Sequence, residues 1–282
     1  MRNKKLFGKN TKIAIGGGIV LVVSLLALFA PVVAPYDPYQ QDLLNRLLPP
    51  CWSEGGSMAH LLGTDNYGRD LLSRLIYGSR ISILVGLSAT LLSGILGTVA
   101  GTLSGYRRGK LEQIIMRLAD AHQAFPAILL AVLVVAAVGG STTNLILVLG
   151  VSGWMVYARL AYSMTLSLKE RPFVEASLSF GAGEAYIIFR HILPQMLPLL
   201  TVISTLQVAQ MILQETALSF LGLGVPPPTA SWGNMLAEGR DRLWVAPWLA
   251  NSAGVCIILL VWGVNLLGNG LREHLDPKNR QL

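Results

Sequence analysis

Few residues in this chain are equipped for chemistry, and most of them stand inside or between long apolar stretches. Gln207, Gln210 and Gln214 recur at i, i+3 and i+7, which puts three amides on one face of a helix, with Glu215 and Ser219 beside them. An ionisable group at membrane depth is costly and is a functional candidate on that ground. Two chemistries fit. The set could wall a hydrated pore, with Glu215 attracting a cation such as a peptide's amino terminus, or it could hydrogen-bond neighbouring helices inside a bundle. A second group, Arg117, Asp120, His122 and Gln123, precedes Phe125-Pro126. Arg117 and Asp120 stand i, i+3 and are expected to pair at a helix end rather than to relay protons. Arg159, near the end of another apolar run, can snorkel to the interface. His122 alone makes no metal site, because a site needs a cluster and His60, His191 and His274 are scattered along the chain. No metal site is therefore expected. Phosphate chemistry is also unprovided for: Gly109-Lys110 has Ser104 where the first glycine of a nucleotide loop would stand, and Leu111 in place of its hydroxyl residue. There is no nucleophile elbow or zinc pair either.

A third constellation is a polar island between two apolar segments. It runs from Glu175-Ala176-Ser177-Leu178-Ser179-Phe180-Gly181 to His191-Ile192-Leu193-Pro194. Lys169, Glu170 and Arg171 precede it, and Arg190 stands near its end. Pro172 suits the first turn of a short helix, where its missing N–H costs nothing, and Gly181 suits the left-handed residue that ends one. A second run from Glu184 to Leu193 leads to Pro194. The spacing predicts a helix-turn-helix on the cytoplasmic face of a membrane, small enough to enter a groove on a soluble partner.

Composition explains what must hold these groups. Of 282 residues 52% are hydrophobic and 13% charged, about half the charged share of soluble domains. The chain is read as a polytopic membrane protein. Its net charge of +7 comes from basic residues flanking apolar segments, so it points to membrane topology and not to nucleic acid. Cys51 and Cys256 are not expected to pair. Hydropathy predicts six spans, at 13–34, 81–105, 114–138, 143–165, 196–223 and 248–270. The first is too long for the apolar region of a cleaved signal peptide and is expected to stay in place. Arg2, Lys4, Lys5, Lys9 and Lys12 before it, Arg107, Arg108 and Lys110, then Lys169, Arg171 and Arg190, and finally Arg272, Lys278 and Arg280 all fall on one side. That side is expected to be the cytoplasm, with 1–12 and 271–282 as inner termini. Residues 81–270 then form a five-helix core that includes the loop 169–195.

The segment 35–80 is expected outside the membrane. In it Leu71, Leu72, Leu75 and Ile76 recur at helical spacing, with Arg69, Asp70, Ser73 and Arg74 opposite, the pattern of an amphipathic surface helix. Gly94, Gly97 and Gly101 read as a packing seam for a neighbouring helix. Residues 224–247 are rich in Pro, Gly and Trp, and fit a re-entrant hairpin or a surface loop equally. Trp232, Trp244 and Trp248 suit a membrane–water interface.

The polar island resembles the EAA loop of ABC-transporter permeases: Glu175, Ala176, Gly181, Leu193 and Pro194 match its pattern, while Ser177 replaces its second alanine and His191 takes an apolar slot. Leu62-Gly63-Thr64-Asp65, Gly68-Arg69-Asp70, Ser73-Arg74-Leu75-Ile76-Tyr77-Gly78, Ser219-Phe220-Leu221-Gly222-Leu223-Gly224, Ser231-Trp232-Gly233 and Leu275-Asp276-Pro277 extend the likeness over about residues 35–277. Together they resemble the second permease type of dipeptide, oligopeptide and nickel importers. The resemblance implies an all-α integral membrane protein of about six spans, with the type I ABC importer permease fold and cytoplasmic coupling helices, in a bacterial inner membrane. It further implies a homologous second permease, two ATPase subunits that carry the ATP and Mg, and an extracytoplasmic substrate-binding protein. Peptide is the first expected cargo, with nickel or its chelates, glutathione and opines as alternatives. A membrane-embedded enzyme using Glu215 or Asp120 would need a second catalytic group, for which no motif exists. A secondary transporter would predict internal repeats, which are not visible.

Overall fold

The computed structural model describes residues 2–275, with side chains from residue 10. Asp276, Pro277, Lys278 and Arg280 lie outside the described residues, as do the side chains of Arg2, Lys4, Lys5 and Lys9. Apart from one isolated bridge between Thr64 and Asp70, the described secondary structure is helical. In chain order it comprises α1 (Arg2–Leu28), α2 (Ala30–Val33), α3 (Leu71–Arg107), α4 (Gly109–Gln123), α5 (Ala127–Val138), α6 (Thr142–Lys169), α7 (Pro172–Ser179) and α8 (Glu184–Ile187). A π-turn (Ile188–Ile192), α9 (Leu193–Phe220), α10 (Trp232–Arg240) and α11 (Pro247–Leu275) follow, and a 3-10 turn (Leu43–Asn45) lies between α2 and α3. Among the described residues five single helical stretches are long and apolar enough to cross a membrane: Asn10–Leu28, Leu71–Arg107, Thr142–Lys169, Glu184–Phe220 and Pro247–Leu275.

The span expected at 114–138 is built as a pair of helices, α4 and α5, bent by 90°, which together are apolar and long enough to make a sixth, broken span or a re-entrant loop. Pro126 has no N–H and disfavours helical geometry at Phe125, so the helix stops there. The 12 residues of α5 reach about 18 Å, short of a hydrocarbon core of roughly 30 Å. The polar group on α4 is also rearranged. Asp120 pairs with Arg159 of α6 at 2.6 Å and not with Arg117, and the Tyr162 hydroxyl donates to Glu112. These bonds, from two successive turns of α6, hold α4 against it.

The helix expected at 71–78 exists, but as the opening turns of α3, and both of its faces are covered. Asp70 caps it by accepting from the Ser73 amide at 2.8 Å. Arg69 and Arg74, expected to face water, are 4% and 1% exposed. Two carboxylates make that burial possible. Asp65 accepts from Arg69 at 2.6 Å and also from Arg74, and Glu238 of α10 accepts from Arg74 at 2.7 Å and from Arg69 at 3.2 Å. Trp232 is likewise no interface anchor: it is buried, and its indole N–H donates to the Leu75 carbonyl at 2.8 Å. Trp248 reaches toward the Thr64 carbonyl at 3.4 Å, and Trp244 is fully exposed. The segment 224–247 thus carries a helix, α10, that packs on α9 and α11 and shares a core with Leu71, Leu75, Ile212 and Leu249.

The glycine seam on α3 receives α6. A Cβ on Gly97 would strike the Trp154 carbonyl, and one on Gly101 the Ala158 carbonyl, while at Gly94 it would stand 3.5 Å from the Tyr157 ring. Gly101→Ala is therefore expected to lower the thermal midpoint in detergent through about 1–3 kcal/mol of overpacking. Gly94→Ala should be nearly silent in the same measurement. Equal effects at the two positions would mean that α3 and α6 do not approach as described.

Candidate functional site

The polar island folds as expected at its first helix. Pro172 opens α7, and Gly181 closes it with φ +81°. The Gly181 amide donates to Leu178 O at 2.9 Å and the Ala182 amide to Ser177 O at 3.0 Å, the paired bonds of a Schellman cap. The second helix differs from expectation. It does not stop before Pro194 but runs from Glu184 through the π-turn into α9 as one 37-residue rod. Pro194 is accommodated at the start of α9, just after the π-turn has shifted the ladder.

One residue anchors α7. Val174 is buried in a cluster with Tyr106 of α3, Leu168 of α6, and Ile187, Ile188 and Ile192. Around that cluster, charged groups tie the helix ends together. Arg107 pairs with Glu184 at 2.8 Å, Arg108 with Glu170 at 3.1 Å, and Lys169 donates to Tyr106 O at 2.6 Å. Glu175, Ala176, Leu178 and Phe180 point outward, Phe180 at 92% exposure. Among the described residues no group bonds the Glu175 carboxylate, so it is available to a partner. Behind this outward face, Val174 packs in a cluster with residues of three long helices.

Beside the loop, a groove of about 930 Å³ runs between α3 and the α8–α9 rod. Its walls are apolar but carry hydroxyls from Thr90, Thr98, Thr102, Thr201 and Ser204, the last accepting from Tyr157 at 3.0 Å. Gln207 and Gln214 are half-buried and Gln210 is exposed, roughly a quarter turn around α9 from this groove. Glu215 and Ser219 do not join that face. Glu215 is fully buried and accepts from Ser219 at 2.8 Å and from Ser82 of α3 at 3.2 Å. The bond from Ser82 joins two closely packed helices: α9 lies near enough to α3 that a Cβ on Gly86 would press on Ile212.

Residues 97–281 match the family described as binding-protein-dependent transport system inner membrane component. The chain belongs to that family. Residues 5–50 of the permease also match the N-terminal TM domain of oligopeptide transport permease C. It is 44% identical to the di/tripeptide transport system permease protein DppC of Pseudomonas aeruginosa, over 95% of this chain and 89% of that one. It is 40% identical to the glutathione transport system permease protein GsiD of Pectobacterium atrosepticum, over 94% and 87%. A chain of the inward-facing MetNI methionine ABC transporter superposes with a TM-score of 0.58 at 20% identity, covering 72% of the permease and 96% of that chain. The permease thus has the all-helical type I ABC importer fold and is a multi-pass inner-membrane protein. The family resemblance drawn from the loop and the flanking motifs holds.

Several groups around the loop had no short-range signal in the sequence. Glu184 and Arg107 are 77 positions apart, and Lys169 and Tyr106 are 63 apart. Only the helices that carry them bring them together.

Proposed function

We propose that this permease subunit imports di- or oligopeptides, driven by ATP hydrolysed on partner subunits. The observation that carries the cargo is the 44% identity, along almost the whole chain, to a relative named for di- and tripeptides. A glutathione importer is the second reading, favoured by the relative at 40% identity. Glutathione is itself a tripeptide, so the two readings share a substrate chemistry.

In this reading a homologous second permease faces the subunit, two ATPase subunits hold the ATP and Mg, and an extracytoplasmic binding protein delivers substrate. Lys12, Arg107, Arg108, Lys169, Arg171, Arg190 and Arg272 gather at the loop end of the bundle, which supports placing that end and both termini in the cytoplasm. Closure of the ATPases displaces Glu175, Ala176, Ser177 and Gly181. The Val174 cluster and the ion pairs at Glu184 and Glu170 carry the displacement into α3, α6 and the rod beginning at Leu193 and Pro194. The Gln207, Gln210 and Gln214 face cannot favourably meet lipid tails, which supports its facing water or the second permease. With the hydroxyl-lined groove it forms this subunit's side of the path. Hydroxyls and amides can bond a peptide backbone without reading its side chains. Glu215 and Ser219 belong to this path as packing behind its wall.

Uptake of labelled dialanine, glutathione and nickel by cells carrying or lacking this subunit tests the cargo. Dialanine uptake is expected to fall to background in the deletion strain. Loss confined to glutathione or to nickel would replace peptide as the cargo.

A further inference from the structure

Ser177 and His191, the two positions where the loop departs from its family pattern, touch each other. Ser177 Oγ lies 3.0 Å from His191 Nε2, and it also stands 2.9 Å from the Phe173 carbonyl. The hydroxyl proton goes to Phe173 O, which leaves the oxygen lone pairs to accept the Nε2–H of His191. The imidazole is held between two rings, Phe173 at 5.8 Å and Tyr186 at 5.6 Å. It therefore has an aromatic neighbour on α7 and another on the rod. His191 stands in the π-turn, a local departure from regular helix of a kind that recurs at functional sites.

The other ties between α7 and the rod are non-polar side-chain contacts, through Val174 and through the Phe173 ring against His191. Apolar contact is non-directional and lets surfaces slide, whereas a hydrogen bond fixes an angle. Among the described residues no other side-chain hydrogen bond joins α7 to the helix that follows it.

We propose that the Ser177–His191 bond is a latch that sets the angle between α7 and the α8–α9 rod, so that movement of α7 is transmitted to the membrane helices and not lost as rotation about Val174. Both are positioning residues, and the proposal rests on the coupling role assigned to the loop above.

The test uses the whole transporter, with both permeases, the ATPases and the binding protein, reconstituted in vesicles. The quantity read is labelled dialanine delivered per ATP hydrolysed. Ser177→Ala and His191→Ala are each expected to lower that ratio by about two- to tenfold, the range set by one net hydrogen bond. The double variant should fall no further than His191→Ala alone, since Ser177→Ala removes only a bond that His191→Ala has already removed. His191→Gln should restore most of the ratio, because its amide N–H can take the place of the Nε2 donor; a purely structural loss of the ring would not be rescued this way. An unchanged ratio in both single variants, additive losses in the double, or failure of glutamine to restore it would overturn the latch. Glu175→Arg in the same vesicles separates the two levels. If it collapses transport while the latch variants do not, the latch alone falls; if it too leaves the ratio unchanged, the coupling role falls and the latch with it.

Discussion

Arg74→Ala is expected to cost more stability than any other single substitution in this chain. Arg74 is 1% exposed, and its guanidinium serves Asp65 and Glu238 at once. Removing it leaves two carboxylates to share Arg69, which already bonds both. Breaking a buried ion pair from one side costs about 3–5 kcal/mol, against a total stability on the order of 5–15 kcal/mol. The expected result is a sharply lowered thermal midpoint in detergent and little protein recovered from the membrane. Arg74→Lys should recover only part of the loss, because an ammonium cannot present the planar fork that reaches two acceptors. Removing Glu238 as well, by Arg74→Ala with Glu238→Ala, should cost less than the sum of the two single changes. A midpoint for Arg74→Ala within a degree or two of the parent would mean that the four charges are solvated and do not hold α3 to α10.

That cluster also marks where reading the sequence runs out. Leu71, Leu72, Leu75 and Ile76 gave the helix correctly, but helical spacing says only which residues share a face. It cannot say that the charged face will be covered, because one of the two carboxylates that Arg74 bonds, Glu238, lies 164 positions away in α10. The same blindness moved Trp232 from an expected interface into the core, and Asp120 from Arg117 to Arg159. Helix ends are a related case. Hydropathy starts the second apolar stretch at 81 because Arg74 and Arg80 depress it, while the helix that carries it begins at Leu71, where Arg74 is paired with Asp65 and Glu238. Pro126 was visible as a helix breaker, but the 90° bend and the contacts of α4 with Arg159 and Tyr162 of α6 had no local signal.

The loop between α6 and α9 was legible because its signals are local. Pro172, Gly181 and Pro194 each constrain their own backbone, so α7, its cap and the start of α9 follow without knowledge of distant contacts. Glu215 shows the opposite case. Its polar character was plain and two environments were open to it; its bond from Ser82 involves another helix and could not be read from spacing. Sequence thus identified which side chains matter more readily than which way they face.

Gly181→Pro is expected to lower peptide uptake more than tenfold while the protein still reaches the membrane in near-normal amount. Gly181 has φ +81°, and proline is confined near −65°. Proline would also remove the amide that donates to Leu178 at 2.9 Å, so the cap that ends α7 cannot form. The change is confined to the loop, because nothing lies within 4 Å of a Cβ added there, and the Val174 cluster below is left intact. ATP hydrolysis should therefore continue without delivering substrate, since the outward face of α7 is re-aimed and the membrane helices are untouched. Substitutions at this position should rank by their tolerance of left-handed backbone. Asparagine should be mild, alanine intermediate at about 1–2 kcal/mol of local strain, and proline severe. Uptake falling in that order at constant membrane level would tie the backbone angle at Gly181 to coupling. Normal uptake in the proline variant would end the coupling role of the loop, and a parallel fall in membrane level would make Gly181 a determinant of folding instead.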